Sequence, residues 1–416
     1  MSHIVVSWLL AGGLAAFAQS SSPQDEEQHL RESLAHSTNA PQDITRALER
    51  HLEQFPNSTK KAEIERALAK AAIETHDDRR IILYGERVLS REPDEIQLID
   101  QVCRALVRAG DKDSAQRALK YARHYEQVVT ATDIDKDSSG AEQAKRRDTL
   151  DNSRARALVL QAHAEATLGN LDEAVKLVRR AFDVYPGAAP AGEMGRWLVK
   201  LGRLDEAAQA YADAFTVPDA RLSDTERATY RRRLGEAYTK WKGSEAGLGD
   251  LVLQAYDRNL AKITERTLAL KKFDPNLGLT NPMDFTISAV DGDKLKLSSL
   301  EGKVIVMDFW ATWCGPCRVQ HPLYEEVKKK FAGHDDLVFL AISSDEERGL
   351  VKPFLEAAKW NSKVYFEDGL AQTLRVSSIP TTIVFDKRGN LAGRMNGFDP
   401  EQFVATLTDR IEDALK

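Results

Sequence analysis

The sequence is poor in cysteine. Its 416 residues include only three, Cys103, Cys314 and Cys317, and so few thiols are typical of a protein from an oxidising compartment. A tetrahedral zinc site needs four ligands, but a second Cys-x-x-Cys or a close histidine pair is missing, and His321 alone does not complete a site. We therefore expect neither a metal nor another cofactor. Cys103 belongs to an apolar-periodic helical segment, where we expect it to pack as a small hydrophobic side chain.

The chain also lacks a strong net charge and an apolar run long enough for a typical membrane span. Its net charge is −6, and no Lys/Arg-rich patch with interleaved aromatics is present, so we expect no nucleic-acid partner. The apolar run Ile4–Ala18 is shorter than the ~20 residues of a spanning helix. It ends in Ala-Phe-Ala-Gln, which fits a secretory cleavage site. We expect residues 1–18 to be a signal peptide and the protein to be exported, periplasmic or otherwise extracytoplasmic; an uncleaved membrane anchor and a buried helix are the alternatives.

A Cys-x-x-Cys motif is what the sequence does contain. Trp313–Cys317 reads Trp-Cys-Gly-Pro-Cys, after an apolar run at Val304–Trp310 and before a helical pattern from about Arg318 to Phe331. Free N–H groups at a helix start favour an anion, so Cys314 is expected to form the thiolate that attacks in disulfide exchange. Cys317, three residues later, can resolve a mixed disulfide. The spacing predicts a redox-active dithiol in which Cys314 is the exposed thiol and Cys317 the shielded one.

The surrounding residues resemble a known family. Asp308–Arg318, Ser378–Phe385 and Lys387–Asn390 are similar to the active site, the cis-proline loop with its following strand, and the β-hairpin turn of the thioredoxin superfamily. The resemblance spans about Asn281 to Lys416, roughly a third of the chain, and implies an α/β thioredoxin fold over residues 283–416. Within the superfamily the chain looks most like the TlpA/ResA type of exported thiol–disulfide oxidoreductases. Those proteins carry an N-terminal hairpin and an inserted segment, which here would be Phe285–Leu297 and about Asp345–Asp368.

The resemblance implies roles for matching positions. Cys314 corresponds to the attacking cysteine and Cys317 to the resolving one. Pro380 corresponds to the cis-proline beside the redox disulfide, and Ile379 to the residue whose backbone pairs with a substrate strand. A cis X–Pro bond is scarce, and it usually serves a purpose.

Two further positions complete the expected site. Asp308 matches the buried acid that accepts a proton when Cys317 attacks; the alternative is a satisfied polar residue at a strand end. Trp313 is expected to flank the substrate at the surface rather than to lie in the core. ResA-like reductases carry a glutamate three residues after the second cysteine. Here Gln320 occupies that position, and since an amide cannot relay a proton in the same way, we expect Asp308 to do this work.

The region before this domain has internal repeats. Residues 24–272 are rich in Ala, Leu, Arg and Glu and have helical periodicity. Thr167–Ala174 recurs 33 residues later as Lys200–Ala207, with looser copies at Arg108–Ala115 and Thr75–Asp78. The pattern resembles tetratricopeptide repeats, whose unit is a helix–turn–helix of 34 residues. The resemblance implies an all-α array whose concave face binds a protein or peptide, or a plain scaffold. Two prolines and a glycine predict a linker over residues 273–282.

These features predict a multidomain enzyme, an exported thiol–disulfide oxidoreductase. The thioredoxin-like Gly-Pro pair between the cysteines favours a reductant of protein disulfides, whose partners are disulfide-containing substrates and an upstream thiol electron donor. A thiol peroxidase with antioxidant activity is one alternative, because the hairpin region also resembles peroxiredoxins. Those proteins place a threonine three residues before the reactive cysteine, where this chain has Ala311. The other alternative is a repeat-based binding module whose thioredoxin unit only docks.

Overall fold

The computed structural model describes residues 23–35, 40–135 and 138–416. The expected signal peptide at residues 1–18 lies outside the described residues. In the part of the chain that is described, no helix is both long and apolar enough to cross a membrane.

The described residues form two compact units. One contains the residues up to Tyr125 together with His163–Asn170, and the other contains Glu126–Ala162 together with Leu171–Lys416. The second unit therefore holds helices of the repeat region as well as the whole sheet. The change from helical to mixed secondary structure lies between Leu270 and Thr286, in the region of the predicted linker. That the parts on either side of this linker are independent domains stays a prediction.

The described residues up to 270 are helical wherever they are regular, as the periodicity predicts. The earlier helices are α1 Pro23–Ala35, α2 Pro41–Gln54, α3 Lys61–Glu74, α4 Asp78–Leu89, α5 Ile96–Ala109 and α6 Lys112–Ala131. The later helices are α7 Gly140–Leu168, α8 Leu171–Val184, α9 Ala188–Lys200, α10 Leu204–Thr216, α11 Asp224–Lys242 and α12 Leu248–Leu270.

The turns between paired helices follow the sequence repeats. Gly110, Gly169 and Gly202 have positive φ angles of 74°, 97° and 75°, which is the left-handed conformation in which helices commonly end. The most degenerate copy has His76 at this position, with a φ of 54°, and histidine is among the residues enriched there. All four copies therefore end a helix in the same way, which is consistent with tetratricopeptide-like repeats. Cys103 in α5 is fully buried, as expected, and burial raises the pKa of its thiol.

The carboxy-terminal region is built on a five-stranded mixed sheet. Its strands are β3 Val304–Trp310, β4 Leu337–Ser343, β5 Val364–Phe366, β6 Thr381–Phe385 and β7 Leu391–Asn396, in the order β5-β4-β3-β6-β7. The pairs β3–β4 and β4–β5 are parallel, whereas β3–β6 and β6–β7 are antiparallel. A separate antiparallel hairpin comprises β1 Thr286–Ser288 and β2 Lys294–Lys296. The helices are α13 Gly315–Lys330, α14 Val351–Ala358, α15 Leu370–Thr373 and α16 Phe403–Leu415.

This topology is the expected thioredoxin fold, with two differences of detail. Helix α13 begins at Gly315 rather than near Arg318, so the Cys-x-x-Cys motif forms its first turn. The segment expected as an insertion, Asp345–Asp368, includes β5, which is the edge strand of the sheet. Every residue of β3 is buried, because alternate side chains enter hydrophobic clusters on opposite faces of the sheet. The last residue of β3, Trp310, belongs to a third cluster that contains the cysteines.

Candidate redox-active site

The two cysteines form a disulfide at the start of α13. The Cα atoms of Cys314 and Cys317 are 5.3 Å apart. Cys314 is the N-cap residue of the helix, and its Sγ accepts a hydrogen bond from the backbone N–H of Cys317 at 3.2 Å. After reduction, this N–H and the positive end of the helix dipole stabilise a negative charge on Cys314 Sγ. Position in the helix therefore favours Cys314 as the nucleophile.

Exposure does not distinguish the two cysteines in this disulfide form. Both residues are 3% exposed, so the expected contrast between an exposed Cys314 and a shielded Cys317 is absent here. The reason is a hydrophobic cluster that packs against both, formed by Trp310, Val351, Phe366 and the partly buried Phe354, Trp360 and Ile379, among others. The contrast stays a prediction for the reduced protein.

The proline loop lies beside the disulfide. The Ile379–Pro380 bond is cis, and Ile379 packs against the cluster that contains both cysteines. The loop is fixed on both sides, because the Pro380 carbonyl accepts a hydrogen bond from Gly397 N at 2.9 Å and Thr381 Oγ1 donates to the Ser378 carbonyl at 2.7 Å. The structure thus joins residues that are more than 60 positions apart in sequence.

The two tryptophans of the motif have opposite environments. Trp313, directly before Cys314, is 69% exposed. Trp310 is buried and packs against Phe354 and Trp360, with ring centroids 5.6 Å and 4.9 Å away. Trp313 therefore lies at the surface next to the disulfide, whereas Trp310 is part of the core.

Asp308 is a buried carboxyl with neutral hydrogen-bond donors. It lies inside β3, directly opposite Thr382 of β6 in the strand register, and not at a strand end. Its Oδ1 accepts hydrogen bonds from Gln320 Nε2 at 2.7 Å and from Thr382 Oγ1 at 3.0 Å. Burial raises the pKa of Asp308 to about 7, although both hydrogen bonds act to lower it. A carboxyl with this pKa can exchange a proton near neutral pH.

Gln320 holds Asp308 from the helix side. It is one turn after Cys317 in α13 and is almost fully buried. Its Nε2 donates to Asp308, while its buried Oε1 has no hydrogen-bond partner among the described residues. The amide in place of a glutamate can therefore orient the Asp308 carboxyl, but it cannot store a proton.

Sequence reasoning missed a polar clasp on the loop before Cys314. Both carboxylate oxygens of Asp345 accept from Thr312 N, at 3.1 and 3.0 Å, and Thr312 Oγ1 donates to Asp345 Oδ1 at 2.6 Å. Arg318 Nε donates to the Thr312 carbonyl at 3.1 Å, and its guanidinium lies over the Phe354 ring. Thr312 and Asp345 are 33 residues apart in the sequence, and no local pattern signals their pairing.

The segment between β4 and β5 shields the disulfide with aromatic rings. Trp360 stacks on His321 of α13 with a centroid separation of 3.6 Å, and burial lowers the pKa of this histidine. His321, which alone cannot complete a zinc site, thus has a packing role. Among the described residues, no group of three or more histidine, cysteine or acidic side chains is arranged to hold a metal.

Comparison with known proteins gives matches to redox proteins. Residues 280–406 match the AhpC/TSA family. The chain is 31% identical over 110 residues to the thioredoxin-like protein YneN of Bacillus subtilis, covering 26% of this chain and 64% of YneN. It is 28% identical over 116 residues to the thiol-disulfide oxidoreductase ResA of Bacillus cereus, covering 27% of this chain and 66% of ResA. A thioredoxin of Staphylococcus aureus is 33% identical over 113 residues, covering 27% of this chain and 86% of that thioredoxin. The chain thus spans just under two thirds of YneN and ResA, and most of the thioredoxin.

Proposed function

The chain belongs to the thioredoxin superfamily through its carboxy-terminal region, and we propose that it is an exported thiol–disulfide oxidoreductase that reduces disulfides in other proteins. The observation that carries this proposal is the Cys314–Cys317 disulfide at the start of α13, with the cis-proline loop packed beside it. The buried Asp308 supplies a proton acceptor with a pKa of about 7.

The reaction begins with the reduced protein. The Cys314 thiolate attacks one sulfur of a substrate disulfide, a Cys314–substrate bond forms, and the other substrate sulfur leaves as a thiolate. Cys317 then gives its proton to Asp308 and attacks Cys314 Sγ. The Cys314–Cys317 bond forms, and the second substrate sulfur leaves as a thiolate. Two electrons have passed to the substrate, and an upstream thiol donor must return the protein to its dithiol form.

Substrate binding would use the surface around the disulfide. The exposed Trp313 offers an aromatic face directly before the nucleophile, and aromatic rings contribute strongly to protein interfaces. The backbone of Ile379, next to the cis bond, is proposed to pair with an extended substrate segment. The Gly-Pro pair between the cysteines supports the direction of reduction rather than oxidation.

Export and the role of the repeats are further parts of the proposal. The run Ile4–Ala18 supports export, because its length and its Ala-Phe-Ala-Gln end suit a signal peptide. The helical repeats are proposed to recruit partner proteins, because stacked helix pairs of this kind form extended concave surfaces. A purely scaffolding array is the alternative.

Insulin reduction tests the activity. The purified chain with dithiothreitol should precipitate the insulin B chain faster than dithiothreitol alone, and Cys314→Ser should remove the acceleration. A wild-type chain that is fully reduced by dithiothreitol yet gives no acceleration would overturn the proposed reductase activity.

A second candidate is a thiol peroxidase, which the AhpC/TSA match of residues 280–406 favours. Against it, Ala311 occupies the position three residues before Cys314, where peroxiredoxins carry a threonine. Hydrogen peroxide consumption by the dithiol protein distinguishes the two. Consumption at a rate well above that of free dithiothreitol, without insulin reduction, would favour the peroxidase.

A further inference from the structure

Helix α12 makes several charged and polar contacts with the preceding helices, besides burying Leu248 and Ala255. Its inner side makes polar contacts with the preceding helices: Arg258 pairs with Asp213 at 3.0 Å, Lys262 with Asp183 at 2.6 Å, and Arg266 with Asp148 and Asp151 at 2.6 and 3.0 Å. Asn259 Nδ2, on the same side, donates to the Asp213 carbonyl and to Thr216 Oγ1. A surface helix usually turns its apolar face to the protein and its charges to water.

The outer side of α12 carries the large apolar residues. Leu253, Tyr256, Leu260 and Leu268 are 64%, 49%, 47% and 60% exposed. Since successive residues of an α-helix are rotated by about 100°, these four positions fall on one side, opposite the buried Ala255 and Asn259. We call these four residues the α12 stripe. The last helix of a repeat array normally needs a polar outer face for solubility, so the stripe indicates a surface that becomes covered.

The charges beside the stripe are arranged by sign along the helix. Asp250 lies in its first turn, Asp257 in its first half and Lys271 just after its end, and helical rotation puts all three on the side of the stripe. The first half of this surface is therefore acidic, and its far end is basic.

We propose that the α12 stripe is the binding surface for a second copy of this chain, with the two α12 helices antiparallel across a two-fold axis near Leu260. In this register Leu253 meets Leu268 of the second copy, and Asp250 meets Lys271 of the second copy. A parallel arrangement would instead bring Asp250 to Asp250 and Lys271 to Lys271. Antiparallel packing also opposes the helix dipoles, and a two-fold contact needs only one self-complementary surface. Asp250 and Asp257 disfavour an anionic lipid surface as the occupant.

Association in solution tests the proposed dimer. The result of this test does not depend on the redox chemistry. Sedimentation equilibrium of the full chain should give a reversible monomer–dimer distribution. Leu260→Asp, at the two-fold axis, should weaken the dimer by at least about tenfold, as expected for a central apolar residue of an interface. Leu83→Glu, which changes a leucine of α4 that is 45% exposed, is the matched control and should leave the dimer unchanged.

A charge exchange tests the register. Asp250→Lys and Lys271→Asp should each weaken the dimer, and the double variant should recover it because the two pairs across the axis are restored with reversed sign. Circular dichroism should show unchanged helix content in each variant.

A wild-type chain that stays monomeric at all concentrations, or a Leu260→Asp variant that still dimerises as strongly as wild type, would overturn the proposal. Dimerisation that appears only when residues 1–22 are removed would assign the stripe to that segment instead. Failure of the double variant to recover would reject the antiparallel register.

Discussion

Two buried carboxyl groups, one in the helical repeats and one in the sheet, have opposite surroundings. Glu65 of α3 is 1% exposed, and its oxygens pair with Arg87 at 3.3 Å and Arg91 at 2.7 Å. Asp308 of β3 is 6% exposed, but its donors, Gln320 and Thr382, are neutral. Burial therefore raises the pKa of Asp308 to about 7, while the charge of Glu65 is compensated by two guanidinium groups.

The difference between charged and neutral partners indicates a different role for the buried acid in each region. An acid paired with arginines ties neighbouring helices together, and its removal leaves cations without a partner. An acid buried among neutral donors weakens the fold when it is charged and is therefore expected to have a task. The cysteines also divide into one that packs and two that can react. Cys103 is buried in a helix of the repeats, whereas Cys314 and Cys317 lie at the start of α13.

The largest expected effect tests this division among the cysteines. Cys314→Ser should abolish disulfide exchange to below detection, because the nucleophile is lost. Cys103→Ala, the matched change in the repeats, should leave insulin reduction unchanged. Cys317→Ser should accumulate mixed disulfides through Cys314, which mass spectrometry of non-reducing gel bands would identify. Similar trapping by the Cys314→Ser variant would reject the assignment of nucleophile and resolving cysteine.

The second prediction concerns the task of Asp308 in the resolving step. Asp308→Asn should slow release of a preformed mixed disulfide by about 10²-fold, the lower end for loss of a general base. In the wild type this rate should rise as pH increases through about 7, because the carboxylate that accepts the proton becomes populated over that range. The variant should lose this rise. Stopped-flow fluorescence at several pH values measures the rate of release. If wild type and Asp308→Asn have the same dependence of this rate on pH, Asp308 has only a structural role.

The third prediction is that neutralising the two acids changes stability in opposite directions. The pKa of Asp308 is higher in the folded than in the unfolded protein, so the folded state is progressively destabilised as pH rises from about 4 to about 7. Asp308→Asn should therefore increase the free energy of unfolding at pH 8 by about 2–4 kcal/mol, and by less at pH 5. Glu65→Gln should decrease it at both pH values, by about 1–3 kcal/mol, because hydrogen bonds to a charged group are lost. Urea unfolding measures both, and a loss of stability in Asp308→Asn at pH 8 would contradict the comparison.

Local patterns were sufficient for most of the fold and for the position of the Cys-x-x-Cys motif between a strand and a helix. The apolar run ending at Trp310 predicts β3, and the glycine turns predict the helix pairs even where His76 replaces glycine. The Thr312–Asp345 clasp could not be predicted, because it joins residues that only the strand order brings together. The equal burial of Cys314 and Cys317 could not be predicted from the sequence either, because it depends on how Phe354 and Trp360 pack against them. The exposure of the α12 stripe could not be predicted either, because a period of apolar residues does not say which of them face the protein.

The smallest expected effect is the contribution of Gln320 to the pKa of Asp308. Its hydrogen bond to Asp308 lowers the pKa of that carboxyl against the larger effect of burial. Gln320→Leu removes the donor, so the pKa of Asp308 should rise by about one unit, equivalent to one hydrogen bond to a charged group.

Gln320→Glu should act differently, because it adds a second acid beside Asp308. The two carboxyls are then expected to titrate as a coupled pair, in two steps. Carbon-13 NMR of the Asp308 side-chain carboxyl follows the titration directly, and Val319→Ala, an exposed change at the preceding position of α13, is the matched control. An Asp308 titration that is the same in wild type, Gln320→Leu and Val319→Ala would show that burial alone sets its pKa. The amide would then be a packing residue, and the neutral donors around Asp308 would not explain its contrast with Glu65.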